Sequence, residues 1–196
     1  MIMVKIPISR QEALELVKKY NSDSRDLIHY LESEAIMREV ASKLGEDTEY
    51  WGILGLLHDI DWGLTKDNVS NHLTKAPQLL KDAGFDDEFV SIVLSHGYGY
   101  EELPHLKDKK RIRKIEYALA ASETLTGLIH AYALMRGSKV SDMELAGLKK
   151  KFKDKAFAAG CDRNIIKEAE NFMNFDEFLA CGIEGIKKIK DEVRLL

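Results

Sequence analysis

The sequence predicts an all-α protein, and three observations support this prediction. Only three prolines, Pro7, Pro77 and Pro104, interrupt the 196 residues. Sustained alternation of β-branched and polar residues, which would indicate strands, is almost absent. Apolar residues instead recur every three or four positions, which is the spacing of one face of an α-helix. The chain is therefore expected to bury its core between helices.

The helix boundaries are predicted from capping residues. Cap candidates at 22–24 precede the first predicted helix, and Gly45 follows it. Later helices end at a His-Asp pair, before Gly84 and before Gly97, because glycine readily adopts the backbone conformation that ends a helix. The predicted helices span residues 26–44, 47–59, 69–83, 86–96, 111–135, 141–158, 162–173 and 176–193.

Length and composition predict one domain. A chain of 196 residues with 45% apolar composition can bury one core of good size, and no long flexible linker divides it. We expect a single domain over 1–196, with a core of about 26–136 and the C-terminal helices of 141–196 packed on it. The apolar face of those C-terminal helices suits either packing within the chain or a homodimer.

Charge, hydropathy and cysteine content argue against several classes of protein. A net charge of −4 provides no general attraction to nucleic acid or anionic lipid, so no stable nucleic-acid complex is expected. The longest apolar stretches, around 51–57 and 118–135, are interrupted and fall short of about 20 apolar residues, so no membrane span is expected. Cys161 and Cys181 stand alone and no secretory leader is apparent, which predicts a cytoplasmic protein.

The apolar run 51–57 ends in His58 and Asp59. His58 lies one helical turn after Leu54, on the buried face, and Asp59 follows about 100° around the helix axis. Burying both groups costs several kcal/mol unless they are paired. The pair suits a bound metal ion; the alternative is a core histidine held by its neighbouring carboxylate.

Further candidate ligands lie on other predicted helices. Glu123 lies one turn beyond the apolar Leu119, where an unpaired carboxylate is costly, although a neutral, hydrogen-bonded carboxyl would also satisfy this position. His29, His72 and His96 lie within or at the ends of three other predicted helices. Together with the His-Asp pair, these residues predict a metal centre. His105 and His130 are predicted to be structural.

The order of these residues resembles that of the HD-domain metal-dependent phosphohydrolases, whose pattern is a histidine, a His-Asp pair and a distal aspartate. His29, His58, Asp59 and Glu123 take those places. The resemblance extends over about residues 26–170 and is strongest to an uncharacterised, HDIG-like subgroup. It implies an HD-domain helical bundle with a metal centre, plus packed C-terminal helices.

The resemblance also implies an activity. The substrate would be a phosphomonoester or phosphodiester of a small molecule or nucleotide, hydrolysed by a metal-activated water with Asp59 and His58 as catalytic residues. The donors suit one or two divalent ions of Mn, Fe, Co, Ni or Zn, or of Mg. The implied metal ligands are His29, His58, Asp59, Glu123, His72 and His96.

A phosphate-bearing substrate needs positive groups, for which the candidates are Lys66, Lys150, Lys153 and Arg163. The alternative for each is an exposed side chain that keeps the protein soluble.

Three residues depart from the family pattern. Glu123 replaces the usual aspartate. Asp61 and Trp62 replace the glycine and lysine typical of cyclic-dinucleotide phosphodiesterases, so cyclic-dinucleotide hydrolysis is disfavoured as the activity of this chain. Two alternatives to an enzyme follow. One is a non-catalytic sensor that binds metal and a phosphorylated ligand. The other is a buried network of histidines without metal.

Overall fold

The computed structural model describes residues 6–196, and every regular element in this range is helical. This confirms the all-α prediction. Two short 3-10 helices, Val69–Asn71 and Glu168–Asn171, accompany the α-helices. The α-helices are α1 (Arg10–Tyr20), α2 (Ser24–Leu44), α3 (Thr48–Leu57), α4 (Trp62–Thr65), α5 (Ala76–Asp82), α6 (Asp87–Ser95), α7 (Lys114–Met135), α8 (Leu145–Lys153), α9 (Arg163–Lys167) and α10 (Phe175–Lys188).

The first helix, α1, precedes every helix predicted from the sequence. It begins with a capping box: the Ser9 hydroxyl accepts a hydrogen bond from the Glu12 N–H, and the Glu12 carboxylate accepts one from the Ser9 N–H. Ala13 and Val17 are buried on one face of α1. The Ser-x-x-Glu spacing is a sequence signal for the start of a helix, so α1 was predictable from the sequence.

The helix predicted over 69–83 is interrupted. A 3-10 turn ends at Asn71, Leu73 adopts a positive φ of 66°, and α5 begins only at Ala76. The break occurs because the backbone N–H groups of Leu73, Lys75 and Ala76 turn toward one buried carboxylate, that of Asp61. Tertiary hydrogen bonds therefore override the local helical pattern.

The predicted C-terminal helices are too long. The segment 141–158 is helical only in α8, 162–173 divides into α9 and a 3-10 turn, and α10 ends at Lys188 rather than at 193. Between α8 and α9 the chain forms a loop, and Arg163 donates hydrogen bonds to four of its carbonyl groups and to that of Phe152 in the last turn of α8. These side-chain contacts replace the helical backbone bonds.

Helix α2 is central, and glycines allow its neighbours to approach it closely. A Cβ at Gly55 of α3 would lie 2.6 Å from the Ser33 carbonyl oxygen of α2, and one at Gly185 of α10 would lie 2.8 Å from that of Ala35. Such distances are shorter than van der Waals contact, so only glycine fits. Helix α7 packs against α2 as well. The close α2–α3 approach brings the end of α3 beside His29.

Within residues 6–196, no helix is both long enough and apolar enough to cross a lipid bilayer.

Candidate metal centre

Three of the predicted histidine ligands stand where helices end. His58 follows the last residue of α3, His96 follows that of α6, and His72 follows the 3-10 turn Val69–Asn71. His29 lies within α2. The last carbonyl groups of a helix lack intrahelical partners, and they can therefore orient a side chain that donates a hydrogen bond.

His58 and His96 use this property in the same way. The Nδ1 atom of His58 lies 2.8 Å from the Gly55 carbonyl oxygen, and that of His96 lies 2.7 Å from the Val93 carbonyl oxygen. A carbonyl carries no proton, so each Nδ1 donates. In the neutral imidazole, Nε2 is then the atom with a free electron pair, and it is available to a metal ion.

Thr126 orients His29 by the same logic. Its hydroxyl donates to the Glu123 carbonyl oxygen at 2.6 Å, so the hydroxyl oxygen must accept from His29 Nδ1, which lies 2.8 Å away. This leaves Nε2 of neutral His29 without a proton. That atom lies 3.1 Å from Nε2 of His58. Two electron pairs facing each other at this distance repel, and a cation between them would relieve the repulsion.

Asp61 orients His72. The Asp61 carboxylate is completely buried, and its Oδ1 lies 3.1 Å from His72 Nδ1. The same carboxylate accepts the backbone N–H groups of Leu73, Lys75 and Ala76. Hydrogen bonds of this kind, from a ligand's second nitrogen to a fixed carboxylate, are typical of the support around metal-binding histidines.

The Asp59 carboxylate lies between two groups of imidazoles. Its Oδ1 is 3.2 Å from Nε2 of His72 and 3.1 Å from Nε2 of His96. Its Oδ2 is 3.6 Å from Nε2 of His58 and 3.9 Å from Nε2 of His29. Each group, with Asp59, places its potential ligand atoms within 4.8 Å of one another and could hold a metal ion. Asp59 belongs to both.

The electrostatics of the cluster suit a cation. Burial opposes the charge of Asp59, but the surrounding imidazoles hold the pKa of its carboxyl well below its ordinary value. Burial lowers the pKa of His58 to about 3 and also lowers that of His29, so both imidazoles are neutral at pH 7 and could act as ligands. Burial opposes the charge of His72 too, yet Asp59 and Asp61 raise its pKa to about 10. A metal ion at His72 would therefore have to displace a proton.

The structure does not bring Glu123 into either group of ligand atoms. Glu123 lines the adjoining cavity, and its Oε1 lies 2.6 Å from the Thr124 hydroxyl. Burial raises the pKa of its carboxyl to about 7. Five of the six predicted ligands thus converge, whereas the sixth faces the same cavity from its wall.

The four predicted substrate-binding cations lie elsewhere. The Lys66 ammonium is 3.3 Å from Asp26 Oδ2, and Lys150 and Lys153 are exposed on α8. The Arg163 guanidinium donates to carbonyl groups between residues 152 and 161. None of the four is among the described residues that line the two cavities beside the cluster.

The first cavity opens over the His72 and His96 side of the cluster. It has a volume of about 370 Å³, and Trp62, Tyr100 and Leu103 contribute to its walls. A cavity of this size suits a small organic molecule. Its described lining includes the carboxylates of Asp59, Glu102 and Glu123 but no lysine or arginine, which again favours a bound cation.

The second cavity, of about 420 Å³, lies between α2 and α7 on the His29 side. Glu32 and His130 line it, and His130 Nδ1 donates to Glu32 Oε1 at 2.6 Å. This hydrogen bond raises the pKa of His130. Burial raises the pKa of Glu32, although His130 opposes this shift. The sequence predicted a structural role for His130, and the structure pairs it with a buried glutamate.

This pair predicts a pH dependence of stability. Both pKa values are raised, so the folded chain binds protons more readily than the unfolded chain, and this contribution is lost as the pH rises. We expect the free energy of unfolding to fall more steeply in the wild type than in a Glu32→Gln, His130→Gln double variant between about pH 5 and pH 8. Urea unfolding with a chelator present measures the difference. Replacing the exposed His105 with glutamine is the control, and parallel curves for wild type and double variant would contradict the prediction.

The supporting residues Asp61 and Thr126 were not predicted as part of the site. Asp61 entered the sequence analysis only as a departure from the family pattern, and Thr126 was not singled out there. A signal for Asp61 was present: a carboxylate two residues after the His-Asp pair, close to an apolar run, also needs a partner when buried. The partners of Thr126 lie in α2 and in its own helix, and the sequence does not reveal that contact.

The comparison with known protein families agrees with this geometry. Residues 26–132, more than half of the chain, match the model of the HD domain family. No solved structure matches the chain significantly. The matched segment contains His29, the His58-Asp59 pair and every other residue of the two candidate metal-binding groups. The chain therefore belongs to the HD domain family.

Proposed function

We propose that this protein is a metal-dependent phosphohydrolase that acts on a phosphomonoester or phosphodiester of a small molecule or nucleotide. The observation that supports the proposal is the position of Asp59, which directs one carboxylate oxygen toward each group of imidazoles. When bound, one or two divalent ions would supply Lewis-acid stabilisation of the phosphoryl oxygens and activate a water for attack on phosphorus. Ions of Mn, Fe, Co, Ni, Zn or Mg are the candidates.

The residues of the chain would contribute position and charge. His29 and His58 would hold one ion, His72 and His96 the other, with Asp59 shared between them. The hydrogen bonds from their Nδ1 atoms fix the rings before any ion binds, which reduces the reorganisation needed.

The cavity beside His72 and His96 is the proposed place of the substrate. Its apolar wall around Trp62, Tyr100 and Leu103 suits the organic part of the molecule, and its volume of about 370 Å³ favours a small one. Since its described lining lacks lysine and arginine, the metal ions would neutralise most of the phosphate charge.

The proposal also includes contacts between the substrate phosphate and the lysine and arginine side chains predicted from the sequence. Lys66 is the best placed of the four, because its partner Asp26 lies one turn before His29 on α2. Lys150, Lys153 and Arg163 would need the chain around α8 and α9 to move toward the cluster.

A non-catalytic sensor is the second candidate, and the position of Glu123 favours it. The carboxylate of Glu123 lies outside the ligand groups, which leaves His29, His58 and Asp59 as the only described protein ligands of the first ion. A more weakly held ion would bind a phosphorylated ligand without efficient turnover.

Metal content and turnover distinguish these functions. We expect one or two transition ions per chain, measured by plasma mass spectrometry on untagged protein purified without chelator. We also expect hydrolysis of p-nitrophenyl phosphate or bis(p-nitrophenyl) phosphate in defined Mn²⁺ or Co²⁺. Metal binding and phosphate binding without turnover of these or a nucleotide panel would favour the sensor. No metal, even after reconstitution, would contradict both and leave a structural histidine network.

A further inference from the structure

Arg111 is a buried arginine between the metal-binding cluster and the C-terminal helices. Only 8% of its surface is exposed. It lies in the loop between α6 and α7, and its guanidinium has partners on two sides. One side faces the end of α6, where His96 stands, and the other faces Glu168.

On the first side, a single nitrogen of Arg111 binds the turn that carries His96. Its Nη1 donates to the carbonyl oxygens of Ser95, His96 and Tyr98 at 2.9, 3.2 and 2.9 Å. Ser95 is the last residue of α6, and its carbonyl oxygen also accepts the Tyr98 N–H; the carbonyl groups of His96 and Tyr98 lie just beyond the helix, where α-helical partners are absent. A positive charge is favourable at this end of a helix, so Arg111 stabilises the backbone conformation of His96.

On the second side, Glu168 holds Arg111 in place. The Nε and Nη2 atoms of Arg111 donate to the two carboxylate oxygens of Glu168 at 2.5 and 2.9 Å. This bidentate geometry fixes the plane of the guanidinium, and only 26% of the Glu168 side chain is exposed. Glu168 begins the 3-10 turn Glu168–Asn171, which lies outside the family match of residues 26–132.

The chain of contacts ends at the metal-binding atoms. Arg111 binds the backbone carbonyl of His96, and the imidazole Nδ1 of His96 binds the Val93 carbonyl. The backbone and the ring of His96 are therefore both fixed. Its Nε2 then lies 3.1 Å from Asp59 Oδ1. Since metal affinity depends on ligand placement within a few tenths of an ångström, a shift of this turn would weaken the second group.

We propose that Arg111 and Glu168 are positioning residues for His96, through which the C-terminal helices set the metal affinity of the His72–His96 group. This inference rests on the proposed two-ion centre. In this proposal the C-terminal segment helps to position a metal-binding histidine, in addition to covering apolar surface.

The test is a Co²⁺ titration of the Glu168→Gln variant, followed by visible absorption and calorimetry. Glutamine keeps the size of the side chain and removes the charge that holds Arg111. We expect the ion at the His72–His96 group to bind about 10- to 100-fold more weakly, with the affinity of the first ion unchanged. Glu170→Gln, an exposed change in the same 3-10 turn, is the matched control and should leave both affinities unchanged.

A His72→Ala variant supplies the reference titration of a chain that lacks the second group. The Glu168→Gln titration should approach this reference. If Glu168→Gln fails to fold, as judged by circular dichroism, Glu168→Asp takes its place, because it keeps the charge but shortens the reach to Arg111.

The outcomes separate this inference from the proposed function. If Glu168→Gln binds two ions with unchanged affinity, or loses affinity equally at both groups, the positioning role is overturned while the two-ion centre stands. One ion or none in the wild type would contradict the two-ion centre, and the positioning role with it.

Discussion

Replacing Asp59 with asparagine should remove both metal ions and lower phosphoester hydrolysis by at least about 1000-fold, which corresponds to roughly 4 kcal/mol of transition-state stabilisation. The carboxylate is the one group common to the two candidate metal-binding groups, and each of its oxygens faces different imidazoles. Asparagine has one oxygen and no charge. Its amide nitrogen would face two or more Nε2 atoms and could not coordinate an ion.

The measurement is metal content and turnover on the same preparation of Asp59→Asn. Asp26→Asn is the matched control, because Asp26 is a partly exposed aspartate near the cluster whose partner is Lys66. The control should retain both ions. Retention of two ions by Asp59→Asn would refute the shared role of the carboxylate. Retention of one would assign Asp59 to a single group.

Replacing Asp61 should cause the largest loss of stability. The carboxylate is completely buried and accepts three backbone N–H groups as well as His72 Nδ1. In Asp61→Ala these donors lose their acceptor, and each unsatisfied buried group costs about 1–3 kcal/mol. Because the chain can relax in part, we expect the free energy of unfolding to fall by about 3–5 kcal/mol.

Urea unfolding in the presence of a chelator measures this effect without a contribution from bound metal. Asp67→Ala, an exposed aspartate in the turn after α4, is the control and should change stability by less than about 0.5 kcal/mol. A loss below 1 kcal/mol in Asp61→Ala would show that other groups or solvent replace the carboxylate. We also expect weaker metal binding at the His72–His96 group, because His72 would lose the partner of its Nδ1.

Much of the fold could be predicted from local patterns. Helix α2 lies close to its predicted bounds because Asp23 caps its start and Gly45, with a φ of 72°, ends it. Helix α6 likewise begins after its cap, Asp86, whose carboxylate accepts the Phe89 N–H. Caps and glycines act on the residues beside them, so their effect is visible in the sequence.

Predictions were wrong where charged side chains from outside a predicted helix compete for its backbone groups. The helix predicted over 69–83 breaks because its N–H groups bind Asp61, and the helix predicted over 141–158 is shortened where the carbonyl groups of Asp154 and Ala158 bind Arg163. Both partners are charged side chains from other segments. The hydrogen bonds they offer replace those of a helix, and no local pattern indicates which segment they will reach.

The sequence by itself determined the fold class, the family and the candidate ligands, since helical spacing and the order of His29, His58, Asp59 and the later histidines are properties of the chain alone. Only the tertiary structure decided that Asp59 faces two groups, that Glu123 stands outside both, and that Asp61, Thr126 and Arg111 form hydrogen bonds with the histidines. The reason is physical. Side chains at helix ends meet at distances of 3–4 Å only after close helix packing, such as that at Gly55, has placed the helices against one another.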